Sequence, residues 1–276
     1  LRGLKNWTGI LKVNLISNNI MANSKSWKKI FDDYEILKHD FDKSPFSLSA
    51  TQIKRACQRF KETGEKEVRI LCKQDSREDR PDMFIKNNLF LLPVKNGYYN
   101  IIKGEGYIDI PEVKKEEVMY TSKLDFKLDT TEIGDSEMQH LDYAYAASLI
   151  RTFTEDPSLV LTIRGRKYTP EFEFYVGKQL IKVASVQTEV DAGYEGKNQV
   201  VLVEAKNFSA TNIIIRQLYY PYRQWQEHTK KKVVTLFFDK ARGANVYSIW
   251  QFEFTDPKNY NSIKLVKSGK FRIKEK

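Results

Sequence analysis

The sequence has few of the residues and patterns that mark several special classes of protein. Its two cysteines, Cys57 and Cys72, are too few for a disulfide framework and have no zinc-ligand spacing, so we expect the protein to work in the reducing cytoplasm. No run of about 18–20 apolar residues occurs, which argues against a membrane-spanning helix and a membrane partner. With 8 prolines, 13 glycines and no low-complexity tract, the composition also excludes a collagen-like or mainly disordered chain.

Two kinds of functional site are also absent from the pattern. The three histidines, His39, His140 and His228, stand alone, without a spacing suited to zinc or to a serine–histidine pair. Gly104-Glu105-Gly106 lacks the lysine and the serine or threonine that end a nucleotide-binding loop. The sequence therefore predicts neither a histidine-based centre nor ATP-driven movement.

Positive charge is what the sequence has in surplus. Lysine and arginine number 46 and aspartate and glutamate 36, which gives a formal net charge of +10. On a composition typical of a folded protein, this surplus favours a polyanionic partner, with nucleic acid ahead of an anionic membrane surface. A generally basic protein without such a partner is the alternative that charge alone leaves open.

The N-terminal residues do not resemble a targeting signal. Residues 1–20 are interrupted by polar side chains and are followed by no small-residue cleavage site. We interpret residues 1–25 as an N-terminal extension and expect the natural chain to begin at Met21.

Residues 26–111 form a first block of helices followed by a hairpin. Ser49 is a suitable N-cap for a helix that extends to Gly64, and Asn96-Gly97 predicts a tight turn between two strand-like runs. This order of elements suggests a winged-helix-like DNA-recognition module. Its candidate DNA-binding residues are the basic side chains of the second helix, Lys54, Arg55 and Arg59. A solvated basic helix face is the alternative interpretation.

Residues 134–276 form a second block, after a polar stretch at 112–133 that we interpret as a linker or an irregular crossover. A helix is predicted from Asp135 to about Thr154. Strand-like runs follow at 159–163, 172–176, 180–190 and 199–207, then a helix at 211–230, strands at 232–239 and 245–254, and a basic tail. This order predicts an α/β domain with a mixed β-sheet flanked by helices.

The most informative pattern lies in the middle of this second block. A strand-like run ends at Asp191, a turn containing Gly193 and Gly196 reverses the chain, and a second strand carries Glu204 and Lys206. Strand side chains alternate between faces, so Glu204 and Lys206 share one face. If the two strands pair as a hairpin, Asp191 lies near Glu204, and two carboxylates and one ammonium converge.

Such a trio suits the cleavage of a phosphodiester bond. Asp191 and Glu204 could hold Mg²⁺, with the carbonyl of Ala205 as an extra ligand, while Lys206 orients or deprotonates water or stabilises negative charge. An acidic residue two positions before lysine occurs five times in the chain, but only Glu204 follows a continuous apolar run. A structural Glu–Lys pair at a strand end is the alternative.

Asp191, thirteen positions before Glu204-Ala205-Lys206 on an apolar strand, resembles the active-site signature of the PD-(D/E)XK nucleases. The helix after it resembles the helix that follows the signature in that superfamily, in which a glutamine, here Gln217, supports the site. Val190 replaces the proline of the nominal motif. The resemblance implies a PD-(D/E)XK core, Mg²⁺ with Mn²⁺ as a substitute, and catalytic roles for the trio and Gln217.

The size, basic charge and N-terminal module further resemble a type II restriction endonuclease. That resemblance implies sequence-specific cleavage of double-stranded DNA, a homodimer if both strands of a palindrome are cut, and a DNA methyltransferase as genetic partner. A structure-directed repair or junction nuclease and a non-catalytic DNA-binding regulator remain alternatives.

Five further residues have open roles at this stage. Arg216 and Arg223 on the following helix are candidate DNA contacts. Glu189 is either a third carboxylate of the site or a solvated strand charge. Glu171 and Glu173 share a face that we interpret as exposed.

Overall fold

The computed structural model describes residues 23–132, 134, 136–207, 210–241 and 244–275. These residues divide into two compact units, the first reaching Tyr107 and including Val176–Ile181, the second comprising Ile108–Tyr175 and the residues from Lys182 onward. Residues 1–22, with most of the predicted extension and Met21, lie outside the described residues. No helix that the structure describes is long and apolar enough to span a membrane.

The first unit combines short helices with a small antiparallel sheet. Its elements are α1 (residues 23–33), β1 (Phe46–Ser49), α2 (Ala50–Cys57), α3 (Thr63–Lys66), α4 (Val68–Leu71), α5 (Asp82–Lys86), β2 (Leu89–Lys95) and β3 (Tyr98–Lys103). The strand order is β1-β3-β2. Trp27, Phe31 and Phe84 pack edge to face in its core, with ring centroids 4.7–6.3 Å apart.

Two predictions about this unit are confirmed and one is wrong. The Ser49 side chain accepts a hydrogen bond from the Gln52 amide in a capping box, and the hairpin turns at Asn96-Gly97, where Gly97 has a φ of 75°. However, α2 ends at Cys57 and does not reach Gly64. The amide of Phe60 bonds to the Cys57 carbonyl, and this tighter turn closes the helix.

The remaining strands and helices follow Lys103. The strands are β4 (Tyr107–Asp109), β5 (Val118–Thr121), β6 (Val160–Tyr168), β7 (Phe172–Val176), β8 (Gln179–Val183), β9 (Gln187–Glu195), β10 (Gln199–Asn207), β11 (Asn212–Ile214), β12 (Lys232–Lys240), β13 (Val246–Phe254) and β14 (Ile263–Lys274). The helices are α6 (Glu137–Ala146), α7 (Leu149–Phe153) and α8 (Arg216–His228).

A seven-stranded mixed sheet organises the second unit, with the order β5-β14-β13-β12-β10-β9-β6. The pairs β10–β12 and β14–β5 are parallel, and the other pairs are antiparallel. Because parallel neighbours need a crossover, α8 connects β10 to β12 across the sheet. The predicted α/β class, with a mixed sheet flanked by helices, is confirmed.

Different helices pack on the two faces of this sheet. On the α6 face, Val203, Ala205 and Phe238 pack into a core shared with α6 and α7. On the opposite face, the α8 face, the α8 helix packs on β9, β10 and β12. Side-chain alternation along β10 places Glu204 and Lys206 on the α8 face.

We had predicted a linker at residues 112–133, and the structure contradicts this prediction. The described residues of the stretch, 112–132, belong to the second unit and include β5, which pairs with β14 along Val118–Thr121. The hydroxyl of Tyr120 donates to the Ala147 carbonyl at 3.0 Å in the interior. The sequence shows no alternating apolar pattern for β5, because only one of its four side chains is buried. The predicted basic tail is likewise an ordered strand, β14.

Two long predicted elements are each divided in the structure. The helix predicted from Asp135 to Thr154 is α6 and α7, separated at Ser148, which has a φ of 66°. Ser136 caps α6, and Asp135 lies outside the described residues. The strand predicted over 180–190 is β8 and the start of β9, interrupted where Ser185 has a φ of 55°. Apolar pattern alone carried no signal for either left-handed residue.

Candidate active site

The candidate catalytic residues lie on two neighbouring central strands. Glu204, Ala205 and Lys206 are near the carboxyl end of β10, and Asp191 is on β9. The register pairs Val203 with Ala192, so the next step along both strands places Asp191 beside Glu204. The apolar run before Glu204 fits this position, because α6 and α8 cover β10 on opposite faces and bury both of them.

We had predicted that the strand ends at Asp191. Instead, Asp191 lies at an irregularity within β9, and the strand continues beyond it. Ile163 pairs with Gly193 and Gly165 with Val190, so β9 has one more residue than β6 in this interval. Such a bulge redirects side chains and is common beside active sites. The strand then continues through Gly193 to Glu195, and the reversal follows at residues 196–198.

Hydrogen bonds hold the three side chains in place. The Oδ2 atom of Asp191 accepts a hydrogen bond from the Ala205 amide at 2.7 Å. The Nζ atom of Lys206 donates to Oε1 of Glu204 at 2.5 Å, and Glu204 is only 8% exposed. The structure therefore brings Asp191, Glu204 and Lys206 together, as the hairpin argument predicted.

Burial and neighbouring charges shift the pKa values of Asp191 and Lys206. Burial raises the pKa of Asp191; the Ala205 amide and Lys206 lower it, and the nearby carboxylates of Glu137 and Glu189 raise it further, so that the net pKa lies above its usual value. Burial by itself would lower the pKa of Lys206, but Glu204, Asp191 and Glu137 outweigh that effect and raise it. Lys206 is therefore held as a cation, which suits charge stabilisation better than proton abstraction.

Glu137 belongs to this neighbourhood and was not found from the sequence. It lies in the first turn of α6, and its Oε1 atom accepts a hydrogen bond from the Asn207 amide at 3.1 Å, which ties the start of α6 to the end of β10. An acidic residue in a first helical turn is common for reasons of helix stability, so no sequence signal distinguishes it.

Asp239 is a second residue that sequence reasoning missed. It lies on β12 directly in register with Lys206 and is 6% exposed. Like Glu204, it ends an apolar run on a central strand, so the criterion that found Glu204 could also have found Asp239.

Gln217 lines a recess between α8 and the sheet together with Glu204, Leu218, Pro221 and Thr235. Its Oε1 atom is buried, and no partner for it is found among the described residues. The structure thus places Gln217 and Glu204 in the lining of the same recess.

The other candidate acidic residues lie outside the trio. Glu189 pairs with Arg166 at 3.2 Å on the exposed surface, although its charge reaches Asp191. Glu171 and Glu173 are exposed, and Glu173 pairs with Lys182 at 2.6 Å, so the predicted exposed face is confirmed.

Arg223 does not suit the DNA contact that the sequence suggested. It is 8% exposed, and its Nη1 atom donates to the carbonyls of Glu173 and Pro257 at 3.1 and 2.8 Å and to the Tyr219 hydroxyl at 3.1 Å. Aromatic neighbours and carbonyls bury its charge, so we no longer assign it to DNA. Arg216 lies half-buried at the start of α8.

Lys54, Arg55 and Arg59 lie on the exposed side of α2 and just after it, opposite the buried Ile53 and Cys57. Within the part of the chain that the structure describes, none of the three makes an ion pair or a side-chain hydrogen bond. Lys29, Lys38 and Lys103 of the same unit, in contrast, each pair with a carboxylate.

Two of the three side chains and one backbone carbonyl could serve as metal ligands. Over the described ranges, no group of three or more histidine, cysteine, aspartate or glutamate side chains could hold a metal. Asp191, Glu204 and the Ala205 carbonyl supply only oxygen. Such a donor set suits Mg²⁺, which binds one or two carboxylates and completes its octahedron with water and substrate oxygens, and it does not suit zinc.

Comparison with known families adds a classification. Residues 102–272 match the family DUF6997, described as a domain of unknown function. The chain belongs to this family. Residues 24–101 match a second domain of unknown function, DUF6996, and the junction of the two matches lies close to the boundary between the units at Tyr107. No curated protein and no solved structure matches the chain.

The ion pair between Lys206 and Glu204 yields a stability prediction. Lys206→Ala leaves Glu204 buried without its cation and should lower the free energy of unfolding by about 2 kcal/mol, between the effects of exposed and fully buried pairs. Urea unfolding in EDTA measures this loss. Lys231→Ala, which removes the more exposed pair with Glu195, is the matched control and should cost less than about 1 kcal/mol. Equal losses for the two variants would contradict the proposed burial of the site.

Proposed function

We propose that this chain is a Mg²⁺-dependent endonuclease that cleaves double-stranded DNA at specific sequences and has a PD-(D/E)XK core. The observation that carries the proposal is the cluster of the buried Glu204 with the half-buried Asp191 and Lys206 on adjacent central strands. Buried charges of this kind are costly unless they pair or bind a ligand, and they are uncommon away from functional sites.

The order of elements supports the same proposal. Helix α6 precedes the antiparallel strands β6, β9 and β10, and α8 then crosses to β12, which is parallel to β10. This is the arrangement that the resemblance to PD-(D/E)XK nucleases implies, with both acidic residues on the second and third of these strands.

Each residue of the cluster has a role in the proposed reaction. Asp191, Glu204 and the Ala205 carbonyl would hold Mg²⁺, or Mn²⁺ in its place, and the bound ion would offset phosphate charge and lower the pKa of water. Lys206, which stays protonated, would hold the attacking water or stabilise the charge that develops on the phosphate. Gln217 would help to position the groups in the recess that it shares with Glu204.

The first unit would read the DNA. Its helix–strand–helix order, followed by a hairpin within a β1-β3-β2 sheet, supports a winged-helix-like module. The hairpin turn lies at the start of α2, because the Ala50 amide bonds to the Gly97 carbonyl at 2.8 Å. The unpaired Lys54, Arg55 and Arg59 would contact this polyanion, and Arg216 would do so near the recess.

The first experiment tests catalysis with matched variants. Asp191→Ala, Glu204→Ala and Lys206→Ala should each abolish plasmid cleavage while the protein still binds DNA, because each removes a charge that the reaction needs. Lys197→Ala is the control, since it alters the same Glu-x-Lys spacing at the other end of the β9–β10 hairpin and should leave cleavage unchanged. Wild-type rates in all three site variants would exclude the assignment.

The metal requirement and the product pattern discriminate among related functions. Mg²⁺ or Mn²⁺ should support cleavage, whereas Ca²⁺, with its looser geometry, should support binding without turnover. Discrete plasmid fragments indicate a restriction-like enzyme, which would pair genetically with a DNA methyltransferase and cut as a homodimer. Junction-specific cuts indicate a repair or junction nuclease. Intact plasmid with a gel shift indicates a DNA-binding regulator, and full activity in EDTA excludes the metal mechanism.

A separate experiment tests the first unit. Lys54→Ala, Arg55→Ala and Arg59→Ala should each weaken binding, and the effect identifies the kind of contact. Loss of a phosphate contact weakens binding to every sequence. It also reduces the salt slope, the slope of log binding constant against log salt concentration, by about one. Loss of a base contact costs about 1–3 kcal/mol of binding free energy at the cognate site alone. Lys29→Ala, whose ammonium pairs with Asp33, is the control and should bind as the wild type does. Unchanged binding in all three variants would remove α2 from the DNA interface.

A further inference from the structure

A row of polar side chains extends from Lys206 across the α8 face of the large sheet. Lys206 is in register with Asp239, Asp239 with Ser248, and Ser248 with Lys270. Residues in register on neighbouring strands point to the same face, and such strands lie about 4.8 Å apart. Lys270 is therefore about 14 Å from Lys206, three strands along the same row.

The packing on the other face confirms this placement. Phe238, Ile249 and Phe271, each next in sequence to a member of the row, pack in or against the α6-face core. Because successive side chains alternate, Asp239, Ser248 and Lys270 must point to the α8 face. The α8 helix packs on β9, β10 and β12, whereas the far end of the row lies on β13 and β14.

Lys270 differs from the basic residues beside it on β14. Lys267 pairs with Glu155 at 2.8 Å, and Arg272 pairs with Glu117. Lys270 is half-buried, yet within the part of β14 and its surroundings that the structure describes it makes no ion pair and no side-chain hydrogen bond. A partly desolvated ammonium without a counter-charge gains more from an anionic ligand than a fully hydrated one does.

We propose that Lys270, with the Ser248 hydroxyl beside it, binds a backbone phosphate of the DNA strand whose scissile phosphate lies at Lys206. This inference rests on the proposed nuclease function. It adds a second DNA contact, three strands away from Lys206 in the sheet. A small anion cannot reach both lysines across about 14 Å, whereas a DNA strand carries a phosphate for every 3.4 Å or so of helix axis. Such a contact sets the position of the strand and carries no sequence information.

The experiment measures binding apart from cleavage. Lys270→Ala is compared with Lys264→Ala, an exposed lysine on the same strand outside the row, after thermal melting has shown that both fold as the wild type does. Fluorescence anisotropy with a labelled duplex in EDTA should show about fivefold to tenfold weaker binding for Lys270→Ala at every sequence, with a salt slope reduced by about 0.9. Lys264→Ala should match the wild type, and Lys270→Arg should recover most of the affinity.

Single-turnover cleavage at increasing DNA concentration in Mg²⁺ completes the test. Lys270→Ala should need about fivefold to tenfold more DNA than the wild type to reach half of its maximal rate, whereas Lys264→Ala should follow the wild-type curve. Wild-type affinity and salt slope in Lys270→Ala, in an enzyme that binds and cuts DNA, would overturn the phosphate contact and leave the nuclease function standing. Failure of the wild type to bind any duplex would overturn both.

Discussion

The ion pair between Lys206 and Glu204 is the interaction on which the candidate site depends. A carboxylate that is 8% exposed at the end of an apolar strand is costly to bury, and the ammonium 2.5 Å away offsets that cost. Asp191 adds a second acidic group, which the Ala205 amide holds in place. With both carboxylates ionised, the cluster therefore has more negative than positive charge, and under the proposed function a metal ion would offset the excess.

This imbalance links stability to the proposed chemistry. A divalent cation at Asp191 and Glu204 would compete with Lys206 for the same carboxylate and free the ammonium for an anionic substrate. Under the proposed function, Lys206, Lys270 and the half-buried Arg216 of the second unit would contact the polyanion. In the first unit, the unpaired Lys54, Arg55 and Arg59 would do so.

Local and near-neighbour features could be predicted from the sequence, and long-range ones could not. The capping of α2, the Asn96-Gly97 turn and the meeting of Asp191 with Glu204 follow from short spacings and strand alternation. The bulge at Asp191 depends on how β6 pairs with β9, and Glu137 reaches β10 from α6, so neither has a local signal. Arg223 shows the opposite error: its spacing suggests an exposed contact, but tertiary packing buries it under carbonyls and aromatic rings. Residues 112–133 resemble a linker in sequence because the short edge strand β5 buries only one side chain. One buried side chain produces no alternating apolar pattern.

We propose that Asp191 and Glu204 form a divalent-metal site from which the metal displaces Lys206. A crystal structure of the full chain with Mn²⁺, recorded at the manganese absorption edge, would locate the ion. We expect an anomalous peak about 2.2 Å from carboxylate oxygens of both residues and a Lys206 ammonium moved away from Glu204. A map without a peak at these carboxylates, with the Lys206–Glu204 pair intact at saturating Mn²⁺, would rule this metal site out.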